Sequence, residues 1–80
     1  MLLEIITPDK RIYSGKIKLV KLPGSKGAFE ILENHAPIIS SLEKGTIKII
    51  EEDGKELFFE VDGGVAENKD NKIIVLAESV

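Results

Sequence analysis

Apolar residues in this chain recur at every second position, and turn-forming residues break the pattern every few residues. Leu3 and Ile5 flank Glu4, Ile17 and Leu19 flank Lys18, Ile47 and Ile49 flank Lys48, and Leu57, Phe59 and Val61 share one face. That is the period of a half-buried strand. Turn signals stand at Pro8-Asp9, Ser14-Gly15, Pro23-Gly24, Glu43-Lys44-Gly45, Asp53-Gly54, Gly63-Gly64 and Asn68-Lys69-Asp70-Asn71. No stretch carries a helical apolar stripe of ten residues. The pattern predicts one all-β domain over 1–80, a two-sheet β-sandwich or flattened barrel of about eight to ten short strands. Asp53-Gly54 predicts a hairpin between 47–52 and 56–61. The run Ile73-Ile74-Val75-Leu76 is apolar on both faces and predicts a central strand. Two strands break phase, from Leu19 to Val20 and from Ile49 to Ile50, which predicts a β-bulge or an exchange between sheets.

Composition excludes several function classes. With no cysteine there is no disulfide, thiolate nucleophile or cysteine metal site, which suits a reducing cytoplasm. Eleven basic and fourteen acidic residues give a net charge of −3, unsuited to a phosphate-binding surface. Tyr13, Phe29, Phe58 and Phe59 are the whole aromatic complement, too few for a base-stacking platform. No nucleic-acid partner is therefore expected. The longest apolar run, Ile73 to Ala77, falls far short of the roughly 20 residues of a membrane-spanning helix. Met1 leads into Leu2-Leu3-Glu4 with no basic region or cleavage site, so no signal peptide and no direct membrane insertion are expected.

The segment Leu22 to Leu42, LPGSKGAFEILENHAPIISSL, concentrates backbone-specifying residues. Pro23-Gly24 predicts a tight turn, with Gly24 free to take a positive φ. Gly27 lets the chain re-enter a strand or approach a neighbour closely. Pro37 holds Ala36 extended, so His35-Ala36 reads as a corner. Together these choices point to a backbone route built for docking.

The order Pro-Gly, Gly27, Ile31, His35-Ala36-Pro37, Leu42, Gly45 resembles the amino-terminal domain of the epsilon subunit of rotary ATP synthases. Val61-Asp62-Gly63-Gly64-Val65-Ala66-Glu67 followed by 71–78 is similar to that family's Gly-Gly strand pair. Leu3 to Pro8 with Tyr13-Ser14-Gly15 is similar to its first hairpin. The resemblance spans nearly the whole chain. It implies a non-catalytic rotor subunit on the central stalk that joins the gamma subunit to the membrane-embedded c ring. It also implies a place at the cytoplasmic face of the bacterial inner membrane, and no cofactor. By carry-over, the loop Ser25, Lys26, Gly27, Ala28, Phe29 and Glu30 and the corner His35, Ala36 and Pro37 would face the c ring. Tyr13, Leu42 and Phe58 are less specific apolar candidates for gamma. Glu30 stands where many members carry glycine, and Glu33-Asn34 replaces a frequent Pro-Gly. Members commonly continue into two carboxy-terminal helices that can inhibit ATP hydrolysis and sometimes bind ATP. After Ala77 only Glu78-Ser79-Val80 follow, so neither ATP binding nor inhibition by these residues is expected.

Each conspicuous residue also has a simpler reading. His35 is the sole histidine, and catalysis or metal binding would need partners that the sequence does not place beside it. It reads better as a corner residue bonded to a backbone carbonyl. Gly24 and Gly27 lack the following helix and Gly-Lys-Ser/Thr ending of a phosphate loop. Glu51-Glu52-Asp53 reads as a solvated hairpin rather than a calcium loop. Lys69, at an expected hairpin tip, supports one rival of another class, a lipoyl- or biotinyl-type carrier domain. Its flanks Asn68 and Asn71 read as ordinary turn residues.

Overall fold

The computed structural model describes residues 1–80 and contains strands only. The eight strands are β1 (Leu2–Ile6), β2 (Arg11–Leu22), β3 (Phe29–Leu32), β4 (Ile38–Leu42), β5 (Gly45–Glu51), β6 (Glu56–Val61), β7 (Gly64–Lys69) and β8 (Lys72–Ala77). One layer runs β4-β7-β8-β1-β2, the other β3-β2-β5-β6. The expected sandwich is therefore present, with its two layers joined through one long strand. The amino-terminal half of β2 pairs with β1, and its carboxy-terminal half lies between β3 and β5.

The phase slip in β2 has a simple cause. Ile17 faces Glu51 and Leu19 faces Ile50, so Lys18 is an extra residue bulging out of the ladder. With Lys18 set aside, Ile17, Val20 and Leu22 alternate regularly, and all three are buried. A bulge bends its strand and increases its twist, as a strand shared between two sheets requires. A second bulge, not visible in the apolar pattern, lies opposite Ile5/Ile6 in the β1–β2 pair. The slip expected in β5 is not a bulge, because β5 pairs with β6 in unbroken register. Ile50 instead points outward, half-buried, and sits across from Leu19.

Leu3, Ile5, Ile73, Val75, Ala66 and Leu42 from one layer meet Ile17, Val20, Leu22, Ile31, Ile47, Ile49 and Val61 from the other in one core. At about 25 cal/mol per Å², each fully buried Leu, Ile or Val contributes about 1.5–3 kcal/mol. β8 is central as expected, antiparallel to β7 and parallel to β1. Its outer face is not covered, however, and Leu76 is exposed. The Ser14-Gly15 turn is also corrected. Both residues lie inside β2, and the first connection is made at 7–10, where the Thr7 amide donates to the Lys10 carbonyl. The Asp53-Gly54 hairpin forms as expected, with Gly54 at φ 92°.

Candidate functional site: two corners on one open side

β3 pairs only with β2, and β4 pairs with β7 and, at its carboxy-terminal end alone, with the Pro-Gly turn; the rest of both outer edges is free, and the segment 33–37 links the two strands. Sequence reasoning placed both halves of the candidate docking segment here. The structure sets them at opposite ends of β4. The Pro-Gly turn lies beside its carboxy-terminal end. There the Ser25 amide donates to the Ser41 carbonyl, Glu43 to the Pro23 carbonyl, and Gly24 bridges Leu42. The His-Ala-Pro corner precedes its first residue, Ile38, which pairs with Asn68. Four steps of about 3.3 Å put roughly 13 Å between these ends. Ile39, 71 % exposed, stands between them.

In the turn, the two glycines exchange the roles the sequence assigned. Gly24 does not take a positive φ. It is required because a Cβ there would stand 2.6 Å from the Gly27 carbonyl oxygen and 2.8 Å from the Phe29 ring. Gly27 takes the positive φ, 123°, in open space. The turn closes with Gly27 donating to the Gly24 carbonyl at 3.0 Å and leads into β3 rather than a helix. Ser25, Lys26, Gly27, Ala28 and Glu30 are exposed, and Phe29 is half-buried.

The corner is held from the β7–β8 hairpin. Asn34 has φ 63°, the conformation that the glycine of a Pro-Gly pair adopts at least cost. Asparagine is the next most tolerant residue there, so the Glu33-Asn34 substitution keeps the route available. The Asn34 amide donates to Asn71 Oδ1 at 2.9 Å. Asn68 Nδ2 donates to the carbonyls of His35 and Ala36 at 3.1 and 3.2 Å. His35 Nδ1 lies 2.7 Å from the Ala36 carbonyl, a donor to it in the Nδ1–H tautomer. His35 thus behaves as a corner histidine bonded to the backbone, and its ring is exposed.

Asn68 and Asn71 are the residues that the sequence reading missed. The expected turn 68–71 shrinks to Asp70-Asn71, both at positive φ. Asn68 lies within β7, 2 % exposed, the one polar residue in the core. A hint was available, since Asn68 falls two residues after Ala66 on the inward face of its strand. Lys69 also belongs to β7, paired with Lys72 beside the turn. The lysine that motivated the carrier reading thus occupies the last strand position, and the tip itself is Asp70-Asn71.

The apolar candidates separate. Leu42, expected at the surface, is 5 % exposed and part of the core, because β4 alternates and its last residue turns inward. Tyr13 is half-buried, its ring centroid 5.9 Å from that of Phe59, and its hydroxyl donates to Glu51 at 2.6 Å. Burial, then the bond to Glu51 and the nearby acidic charges, pushes its pKa up to about 12. Phe58 is 59 % exposed and is not covered by the other layer. A further apolar row crosses the outer face of the first layer. Val65 pairs with Leu76 and Leu76 with Ile6, beside a shallow cleft of 520 Å³ that Thr7, Pro8 and Gly64 also line. No group of three or more His, Cys, Asp or Glu residues is placed to hold a metal ion.

A family model described as ATP synthase, Delta/Epsilon chain, beta-sandwich domain, matches residues 1–80. The chain belongs to this family. Its relatives include the ATP synthase epsilon chain of Desulfatibacillum aliphaticivorans, 42 % identical over 79 residues that cover 99 % of this chain and 56 % of that one. That of Chlorobium limicola is 38 % identical over 78 residues, covering 98 % and 89 %. That of Nitratidesulfovibrio vulgaris is 47 % identical over 77 residues, covering 96 % and 57 %. The chain thus spans little more than half of some epsilon chains and nearly all of others. In fold it is similar to a chain in the Euglena gracilis mitochondrial ATP synthase structure of OSCP, F1 and c-ring. The TM-score is 0.90 at 18 % identity, covering 99 % of this chain and 51 % of the other. Within the delta/epsilon family, the Gly-Gly pair has a clear physical reason here. Gly64 has φ 151°, and a Cβ on it would stand 2.2 Å from the Leu76 carbonyl oxygen.

Proposed function

We propose that this chain acts as the epsilon subunit of a rotary ATP synthase, a non-catalytic part of the central stalk that joins gamma to the c ring. The observation that carries the proposal is the match of the family model from the first residue to the last. Supporting it, the exposed backbone-specified corners occupy one open side of the sandwich. The c ring would be met by the turn at 25–30 and by His35, Ala36 and Pro37. Because these lie about 13 Å apart along β4, they act as two contacts flanking Ile39 rather than as one loop. For gamma, Leu42 is replaced as a candidate by the contiguous row Ile6, Leu76 and Val65, since contiguous apolar surface marks protein interfaces. Phe58 and the Tyr13 edge are the smaller alternative. The subunit would work at the cytoplasmic face of the bacterial inner membrane and handle no nucleotide through this domain.

The test is recovery of a tagged chain from membranes, with Lys26→Cys and Ala36→Cys reporters for cross-linking to c-ring loops. The expected result is co-purification of gamma and c subunits and cross-links from both reporters. Recovery without either subunit would defeat the assignment. Loss of gamma on Leu76→Ser but not on Phe58→Ser would support the row on the first layer.

A further inference from the structure

We propose that Asn68 is a positioning residue: its buried amide fixes the His35-Ala36-Pro37 corner in a docking-ready conformation. This rests on the reading of that corner as a contact.

Position 68 faces inward on β7, where alternation calls for an apolar side chain, yet it carries an amide 2 % exposed. Its Nδ2 bonds two successive carbonyls, those of His35 and Ala36. Apart from the His35 amide, which donates to the Leu32 carbonyl at 3.1 Å, this stretch makes no other backbone bond, since 35–37 pair with no strand and Pro37 has no amide hydrogen to donate. Its Oδ1 is buried without a partner. A residue selected only to fill the core would not leave a buried acceptor unmet, because such a group costs stability that an apolar isostere avoids. A local rule broken at one position, with the gain appearing in an exposed corner, is the pattern of a functional constraint. The clamp also orients His35, because Ala36 O receives Asn68 Nδ2 and lies within bonding distance of His35 Nδ1. Asn71 adds a third bond to Asn34, so the β7–β8 hairpin holds the corner from both sides of its own turn.

The experiment compares the whole chain with Asn68→Leu, which removes both donors and the unmet acceptor at similar volume, and with Asn68→Asp, which keeps the shape but cannot donate when ionised. Asn68→Leu is expected to keep or raise the melting temperature. In the same variant, the order parameters of the His35 and Ala36 amides are expected to fall below about 0.6. The contact of His35 Nδ1 with the Ala36 carbonyl should loosen, read as a change in the chemical shifts of the ring nitrogens. A corner in its docking geometry a tenth of the time docks about tenfold more weakly, so cross-linking of the Ala36→Cys reporter to the c ring should slow about tenfold. The Lys26→Cys reporter serves as an internal control for assembly. Unchanged corner order in Asn68→Leu would overturn the proposal, and so would a loosened corner that cross-links at the original rate. If the unaltered chain fails to dock, the functional reading itself falls, while the order parameters still decide whether Asn68 is a clamp. Should Asn68→Leu not fold, Asn68→Asp carries the same measurements.

Discussion

Single residues here matter mainly through backbone routes and one half-buried hydroxyl bond. Gly64→Ala should be severe, because φ 151° and a carbonyl 2.2 Å from the new Cβ leave no room for adjustment. A loss of about 3 kcal/mol or more is expected, read as a lowered urea midpoint. Asn34→Gly should be nearly neutral at the backbone, whereas Asn34→Val, β-branched at positive φ, should cost about 1–3 kcal/mol. Tyr13→Phe keeps the packing on Phe59 but loses the bond to Glu51, at a cost of about 1 kcal/mol near neutral pH. The pH dependence follows from the raised value. The folded phenol titrates near 12 against an ordinary 10, so folding favours the protonated form. Its contribution is whole below about pH 10 and is lost as the pH rises through about 12. Urea melts from pH 9 to 12 should show this fall in the parent chain and a shallower one in Tyr13→Phe.

Among the elements, β2 carries the architecture, since it serves both layers. Deleting Lys18 leaves Ile17, Val20 and Leu22 in regular alternation, so the inward set survives. The bend does not, and a straight β2 cannot turn from β1 to β5. The deletion should cost about 2 kcal/mol or more, while Lys18→Ala, which keeps the bulge, should stay within about 0.5 kcal/mol. Thermal unfolding of both variants by circular dichroism separates the two expectations. Strand identity was legible because alternation marks a half-buried strand. Face exposure was not: Ile50, Leu76 and Leu42 look alike in sequence, and only partner strands decide which way each points. The Ser14-Gly15 signal failed for the same reason. A Cβ at Gly15 would lie 2.8 Å from the Tyr13 hydroxyl, so this glycine serves close packing inside β2 rather than a turn.

For the molecule as a whole, docking by an exposed edge should be weakly electrostatic. Glu30 pairs across the ladder with Lys21 and is exposed. Under the proposed c-ring contact, Glu30→Lys should change docking by about 0–1 kcal/mol, diminishing as salt rises, because exposed ion pairs are screened over about 8–10 Å. Cross-linking yields at two ionic strengths check this. A large, salt-independent loss would mean that Glu30 is buried on docking.

The all-β class, most strands, the Asp53-Gly54 hairpin and the family motifs are all legible in the order of residues. Each of these is a local pattern of period or turn chemistry, written within a few consecutive residues. Tertiary structure alone decided the parallel pairing of β1 with β8, the sharing of β2 and the separation of the two corners along β4. It alone also brought Asn68 and Asn71 to the corner, across 32 to 37 positions of chain. These depend on which distant strands meet. Period-2 alternation tells a strand which face to bury but not which neighbour to take, and partner choice is settled only when both layers close over one core.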